Sequence, residues 1–157
     1  MINLNPAYLA GVFDSDGSFS VIKRNFTEKH CNYNALMQLS WKKTDLSSTL
    51  INAIAEEFGG SVGDCASSNT HKSFPGTKDY LKYCVQGKKA AILAKTLLPF
   101  LVLKKRQAEN LIVLIEKTSI FKGTKQKLIT DELHEIYLLN KSLNTKNGWK
   151  NAKDNIR

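Results

Sequence analysis

Two acids separated by a single residue, Asp14 and Asp16, follow the apolar stretch Leu9–Phe13 in the string LAGVFDSDG. Leu9, Val12 and Phe13 have the spacing of a buried helical stripe, so both acids fall where that helix should stop. A helix C-terminus is electronegative, and a carboxylate placed there costs a few tenths to about 1 kcal/mol. One reading is a plain turn, because Asp, Ser and Gly are common turn residues. The other is a site for a hard divalent cation, which takes carboxylate oxygens together with the free carbonyls of a helix end. A twelve-residue calcium loop beginning at Asp14 fails, since its sixth position is Phe19 instead of Gly and its twelfth is Asn25 instead of Glu.

The acids can be positioned only by the elements around them. Asn5 followed by Pro6 predicts a helix start, with Asn as N-cap and Pro at the first helical position. That helix is expected through about Phe13, with Gly17 closing it and letting the chain reverse. Ala7, Ala10 and Gly11 give it a small-residue surface, which lets a second helix backbone come close. If that partner were the same helix of a second copy, each copy would bring its Asp16 to the shared axis. The meeting carboxylates would then need a cation between them.

SFSVIKRNF (residues 18–26) alternates as a strand, with Phe19 and Val21 on one side and Ser18, Ser20, Ile22 and Arg24 on the other. ALMQLSWKK (35–43) follows as its hairpin partner, with Ala35, Met37, Leu39 and Trp41 inward and Gln38, Ser40 and Lys42 outward. Thr44 and Asp45 begin a helix with apolar positions Leu46, Leu50, Ile51, Ile54 and Phe58, ended by Gly59-Gly60. A weak strand SVGDCAS, a polar loop over 67–78 and a better strand DYLKYCVQG follow, the last with Leu81, Tyr83 and Val85 inward. Then come a short helix broken near Pro99, a long helix from about Lys105 to Lys122 and a last helix from about Thr130 to Leu143. The order is helix, hairpin, helix, hairpin, helices. It predicts one α+β domain over 1–143, an antiparallel sheet with helices on one face. Residues 144–157 are expected to be a basic, loose tail.

Composition agrees with a folded globular chain: 157 residues, 42% apolar and 24% charged. No apolar run has the length of a membrane span, and no secretory signal pattern stands at the N-terminus, so no membrane partner is expected. Cys31, Cys65 and Cys84 are odd in number and far apart, as free thiols of a reducing compartment would be. With His30, His71 and His134 they lack zinc-site spacing. The net charge of +9 is uneven: residues 1–60 carry 5 basic and 6 acidic side chains, and 61–157 carry 18 and 8. Such an excess favours a polyanion, with nucleic acid first among the partners.

LAGVFDSDG closely resembles the LAGLIDADG signature. It matches at Leu9, Ala10, Gly11, Asp14, Asp16 and Gly17, with Val12 and Phe13 as apolar substitutions and Ser15 for a small residue. FGG at 58–60 and LLPFLVLKKRQAENL at 97–111 look like further segments of the single-motif LAGLIDADG homing endonucleases. The likeness covers roughly residues 5–120. It implies the αββαββα homing-endonuclease fold with a saddle-shaped antiparallel sheet. It also implies a homodimer built through helix 1 at about 6–14, because the chain carries one motif. The activity implied is that of an intron-encoded, sequence-specific endonuclease. Such an enzyme hydrolyses one phosphodiester in each strand of a long pseudo-palindromic double-stranded DNA site across the minor groove, leaving short 3′ overhangs. The setting implied is intracellular, in a prokaryotic cytoplasm, a chloroplast or a mitochondrion.

The resemblance implies residue roles as well. Asp16 and the Ser15 carbonyl would bind the catalytic divalent ion, Mg²⁺. Asp14 would support the turn and the helix interface alongside Ala7, Ala10 and Gly11. Lys104 corresponds to the family's lysine near the cleavage centre. Lys43 stands where many relatives hold glutamine; it would position water or contact phosphate, with Lys42 beside it on the DNA. The sheet would lie in the major groove, offering Ile22, Arg24, Phe26, Glu28, Gln38, Ser40, Asp64, Ala66, Tyr80 and Lys82. Of these, Arg24 and Lys82 suit guanine, Gln38 adenine, and Glu28 or Asp64 cytosine. Lys72 would meet a phosphate. The alternative on the same fold is a non-cleaving nucleic-acid binder, acting on intron RNA or as a DNA-binding regulator.

Overall fold

The computed structural model describes residues 4–25, 31–65, 80–120 and 126–145. Phe26, Glu28, Ala66 and Lys72 lie outside them. Helix α1 spans Pro6–Ser15, with Asn5 as N-cap accepting the Ala7 N–H at 2.8 Å. It runs two residues beyond the expected end, and Asp16 itself is the C-cap, its N–H donating to the Val12 carbonyl. Strands β1 (Gly17–Asn25) and β2 (Cys31–Lys42) form the first hairpin. Helix α2 (Asp45–Phe58) begins with a capping box: Thr44 Oγ1 accepts the Ser47 N–H, and Ser47 Oγ accepts the Thr44 N–H. Leu50, Ile51 and Ile54 are buried as expected, whereas Leu46, in the first turn, is 79% exposed. Strands β3 (Ser61–Cys65) and β4 (Tyr80–Gln86) follow, then α3 (Gly87–Leu97) and a short 3₁₀ turn at Leu98–Phe100. Helices α4 (Lys105–Ile120) and α5 (Gln126–Leu143) complete the order, α5 starting four residues before its expected place.

The sheet is antiparallel throughout, in the order β1-β2-β4-β3. Its register puts Phe19, Met37 and Val85 in one row and Gly17, Leu39, Tyr83 and Val62 in the next. Phe19, Met37, Leu39, Tyr83 and Val85 are buried with Leu9 and Phe13 of α1, Ile51 and Ile54 of α2, and Leu93, Leu97, Leu111 and Leu114 of α3 and α4. The Phe13 and Phe19 rings meet with centroids 5.9 Å apart, fixing α1 on β1. The opposite face is left partly open. Ser18, Ser20, Ile22 and Arg24 stand there on β1, Gln38, Ser40 and Lys42 on β2, and Tyr80, Lys82 and Cys84 on β4.

Glycine serves close approach at two places. A Cβ on Gly17 would lie 2.5 Å from Phe13 Cδ1 and 2.8 Å from the Phe13 carbonyl oxygen. Gly17 follows the helix end as expected, and it is needed for the crossing of α1 and β1; it is not among the positive-φ glycines. Gly60, at φ 107°, passes where a Cβ would touch the Cys84 carbonyl at 2.6 Å.

Helix α5 seals the outer edge of β1. Asn140 Oδ1 accepts the Val21 N–H at 3.2 Å, and Asn144 Nδ2 donates to the Phe19 carbonyl at 2.9 Å. The two amides thus supply one donor and one acceptor of the kind a further strand would offer, at Phe19 and Val21. Asn144, assigned from the sequence to a loose tail, belongs to the folded domain.

Candidate nuclease centre and nucleic-acid face

Asp14 and Asp16 point in different directions and do different things. Asp14 is buried, at 7% exposure. Its Oδ2 accepts the Val102 N–H at 2.7 Å and the Leu103 N–H at 3.3 Å, and its Oδ1 accepts the Lys104 N–H at 2.9 Å. Those three amides lead directly into α4, so the acid at the wrong end of α1 is at the right end of α4. Lys104 answers it. Its ammonium, 6% exposed as a residue, donates to the carbonyls of Phe13 at 3.0 Å, Ser15 at 3.3 Å and Gly17 at 2.7 Å. A cation therefore sits against carbonyls of the last turn of α1 and of Gly17, the first residue of β1. Burial pulls the Lys104 ammonium below the ordinary lysine range, while Asp14 and then Asp16 pull it back up.

Asp16 is exposed. Its Oδ2 accepts the Trp41 Nε1–H at 2.9 Å, and its Oδ1 makes no hydrogen bond among the described residues. Asp16, the Ser15 carbonyl and Lys104 are therefore gathered at the end of α1, as the sequence reading grouped them. No cluster of three or more His, Cys, Asp or Glu side chains lies among the described residues. A divalent ion would find one open carboxylate oxygen and helix-end carbonyls here. That donor set suits a hard cation but does not by itself complete a coordination shell.

Lys43 stands apart from this group. It lies just beyond β2, and its ammonium bridges both Asp64 oxygens at 2.8 and 3.0 Å, across the end of the sheet to β3. Asp64 was expected on the open face, but the register sets it opposite Leu81, which is opposite Trp41. It shares their helix-covered side, and Gly63, opposite Lys82, takes the open-face position. The expectation failed because alternation in a weak five-residue strand carries no phase of its own; the partner strand sets it.

The open face itself is preorganised at one end, where Arg24 Nη2 donates to Gln86 Oε1 at 3.0 Å and Asn34 Nδ2 to the same oxygen at 3.4 Å. In its middle Gln38 Nε2 lies 3.3 Å from the Cys84 thiol. Mixed polar and apolar groups on a half-open sheet match what base edges and thymine methyls present in a major groove.

Of the residues expected at a helix-to-helix dimer contact, Ala7 and Gly11 are exposed, and a Cβ on Gly11 would meet nothing within 4 Å. Ala10 and Asp14 are not available to a partner. Ala10 is fully buried in the chain's own core, and Asp14 is taken by the start of α4. Tyr8, 58% exposed, and the segment running to Val102, 68% exposed, and Leu103 extend the α1 face with apolar surface. The sequence reading missed Tyr8 and Trp41. The signal for Trp41 was available: an indole closing an inward strand row must find a partner for its N–H.

No protein-family model and no curated protein matches the chain. Solved structures do. The homing endonuclease I-CvuI, in complex with its target in the presence of calcium, is 20% identical over 95% of this chain and 90% of its own, with TM-score 0.67. The archaeal intron-encoded homing endonuclease I-Vdi141I, complexed with DNA, is 17% identical over 96% and 94%, with TM-score 0.66. The LAGLIDADG homing endonuclease I-GzeII, in complex with a DNA target, is 20% identical over 86% of this chain and 44% of its own, with TM-score 0.66. This chain thus spans nine-tenths or more of some such proteins and less than half of another.

Proposed function

We propose that this chain, which has the fold of the LAGLIDADG homing endonucleases, is a sequence-specific, divalent-metal-dependent DNA endonuclease acting as a homodimer. The observation that carries the reading is Asp16: an exposed carboxylate with one oxygen unclaimed among the described residues, held at the carbonyl end of α1 against the last inward residue of β2. The exposed α1 face with Ala7, Tyr8 and Gly11, adjoined by Val102 and Leu103, supports pairing with a second copy, which would bring a second Asp16 and complete the donor set.

Asp16 and the Ser15 carbonyl would hold the cation, with Mg²⁺ the physiological choice. When bound, a divalent ion polarises a phosphate and stabilises charge on the attacking and leaving oxygens. The remaining roles fall to the chain. Lys104 places positive charge among the carbonyls from which Asp16 projects. Lys42, Lys82 and Arg24 draw the phosphate backbone or a guanine edge onto the sheet, and Ile22, Gln38, Ser40 and Tyr80 meet base edges in the groove. Lys43 is a phosphate contact once it exchanges Asp64 for DNA. The net charge of +9 per copy favours this association and makes it salt-dependent.

The test is selection from a randomised long-duplex library with Mg²⁺, using the unaltered protein and Asp16→Asn, and sequencing of both bound and cut DNA. One long, roughly palindromic site cut only by the unaltered protein supports the proposal. Cutting by Asp16→Asn as well would refute the role given to that carboxylate. Binding without cutting by either form would favour the non-cleaving reading, with structured intron RNA as the next ligand.

A further inference from the structure

Trp41 is the last residue of β2 on the helix-covered side, opposite Leu81. Its ring packs against the core while its indole Nε1–H reaches out to Asp16 Oδ2 at 2.9 Å. No other hydrogen bond to the Asp16 side chain exists among the described residues. A carboxylate on an exposed helix cap is otherwise free to rotate about two torsions. The donor that restrains this one is uncharged and can only donate. Lys or Arg in the same place would restrain the carboxylate too, but would spend part of its charge and compete with a cation. The indole fixes one oxygen and leaves the negative charge and the other oxygen in place.

We propose that Trp41 is a positioning residue for Asp16, holding Oδ2 through its indole N–H so that Oδ1 is presented to the divalent cation. The inference rests on the metal reading above. Partners that orient metal ligands in this way typically change affinity about 10–100-fold when removed. The solvent exposure of Asp16 places the expectation at the low end, about tenfold.

The probe is Mn²⁺, and the background is the full chain carrying Trp149→Phe, so that tryptophan emission comes from Trp41 alone. Free Mn²⁺ is counted by electron paramagnetic resonance, and Trp41 emission is followed in the same titration. The expected result is saturable quenching by Mn²⁺ that disappears in Asp16→Asn. Trp41→Phe should bind Mn²⁺ about tenfold more weakly, and Trp41→His, which restores an N–H on a smaller ring, should recover part of the loss. Thermal midpoints are recorded for every variant. If Trp41→Phe is also less stable, recovery of affinity in Trp41→His without recovery of the midpoint upholds the proposal, and its absence overturns it. Unchanged Mn²⁺ affinity in Trp41→Phe, with binding lost in Asp16→Asn, rejects the positioning role alone. Unchanged affinity in Asp16→Asn rejects the metal reading itself.

Discussion

Asp14 and Lys104 close each other's helices. The carboxylate near the end of α1 accepts three N–H groups leading into α4, and the lysine just before α4 donates to the Phe13 and Ser15 carbonyls at the end of α1 and to the Gly17 carbonyl that follows. Each charge meets the helix pole of opposite sign, and each also lies in the field of the other. The pair joins the end of α1 that carries Asp16 to the segment 101–104, although about 90 residues of chain separate them.

Removing either partner should therefore unsettle both helix ends. Lys104→Met keeps the stem but removes the donor shared by the Phe13, Ser15 and Gly17 carbonyls, and should cost about 2–3 kcal/mol, the usual penalty for polar groups left without a partner. Asp14→Asn should cost about 1–2 kcal/mol, as lost caps do. In urea unfolding the double variant should lose less than the two single losses added, by about 1 kcal/mol, because the sites are in contact.

The two glycines of the motif should separate cleanly. Gly11→Leu adds a side chain where the chain itself offers open space. The fold should keep or gain stability, since Gly in a helix interior costs about 0.5–1 kcal/mol against Ala, while light scattering should show the proposed pairing of two copies lost. Gly17→Ala collides with Phe13 backbone and ring and should lower stability by about 1–3 kcal/mol. An unaffected dimer in Gly11→Leu would remove α1 from the interface.

Asp64→Asn releases Lys43 from its ion pair. The pair is exposed on both sides, so stability should change by no more than about 1 kcal/mol. Affinity for duplex DNA should rise, and the slope of its logarithm against that of salt should steepen by about one phosphate contact. A flat response would keep Lys43 off the DNA.

Tyr83 supplies an alkaline limit. Burial, and then the charge of Cys84, raise its phenol well above the ordinary value, while its O–H donates to the Gly59 carbonyl at 2.8 Å. The unfolded chain releases that proton near pH 10 and the folded chain keeps it, so the unfolded state binds fewer protons. The stabilisation is whole below about pH 10 and falls as pH rises beyond it. Tyr83→Phe should be less stable at neutral pH, by about 1 kcal/mol for the lost hydrogen bond, and should show a shallower decline above pH 10 by chemical denaturation.

Local rules made much of the fold legible. Asn5-Pro6 and Thr44 announced their helix starts because capping is a matter of a few adjacent residues. The alternation in β1, β2 and β4 gave the right faces because long strands with strong contrast fix their own phase. Asp64 did not, since its short strand takes its phase from β4. The roles of Lys104, Trp41 and Asn144 were hidden for another reason. Each is defined by a contact far along the chain, and periodicity carries no information about such pairs. Asp14 was placed correctly beside the turn, but the helix it serves could not be read from its own neighbourhood.

The seal on β1 bears on any attempt to join two copies into one continuous polypeptide. Asn144 lies one residue past the last helical position, yet it holds the Phe19 carbonyl. A fusion that trims the first copy to the visible end of its helix would keep Asn140 on Val21 but strip the Phe19 carbonyl of its Asn144 donor, leaving an acceptor on the strand edge open to another molecule. A tether between copies should begin after Asn144. The contacts that hold an edge strand near the N-terminus thus reach past the last helical residue, at least to Asn144.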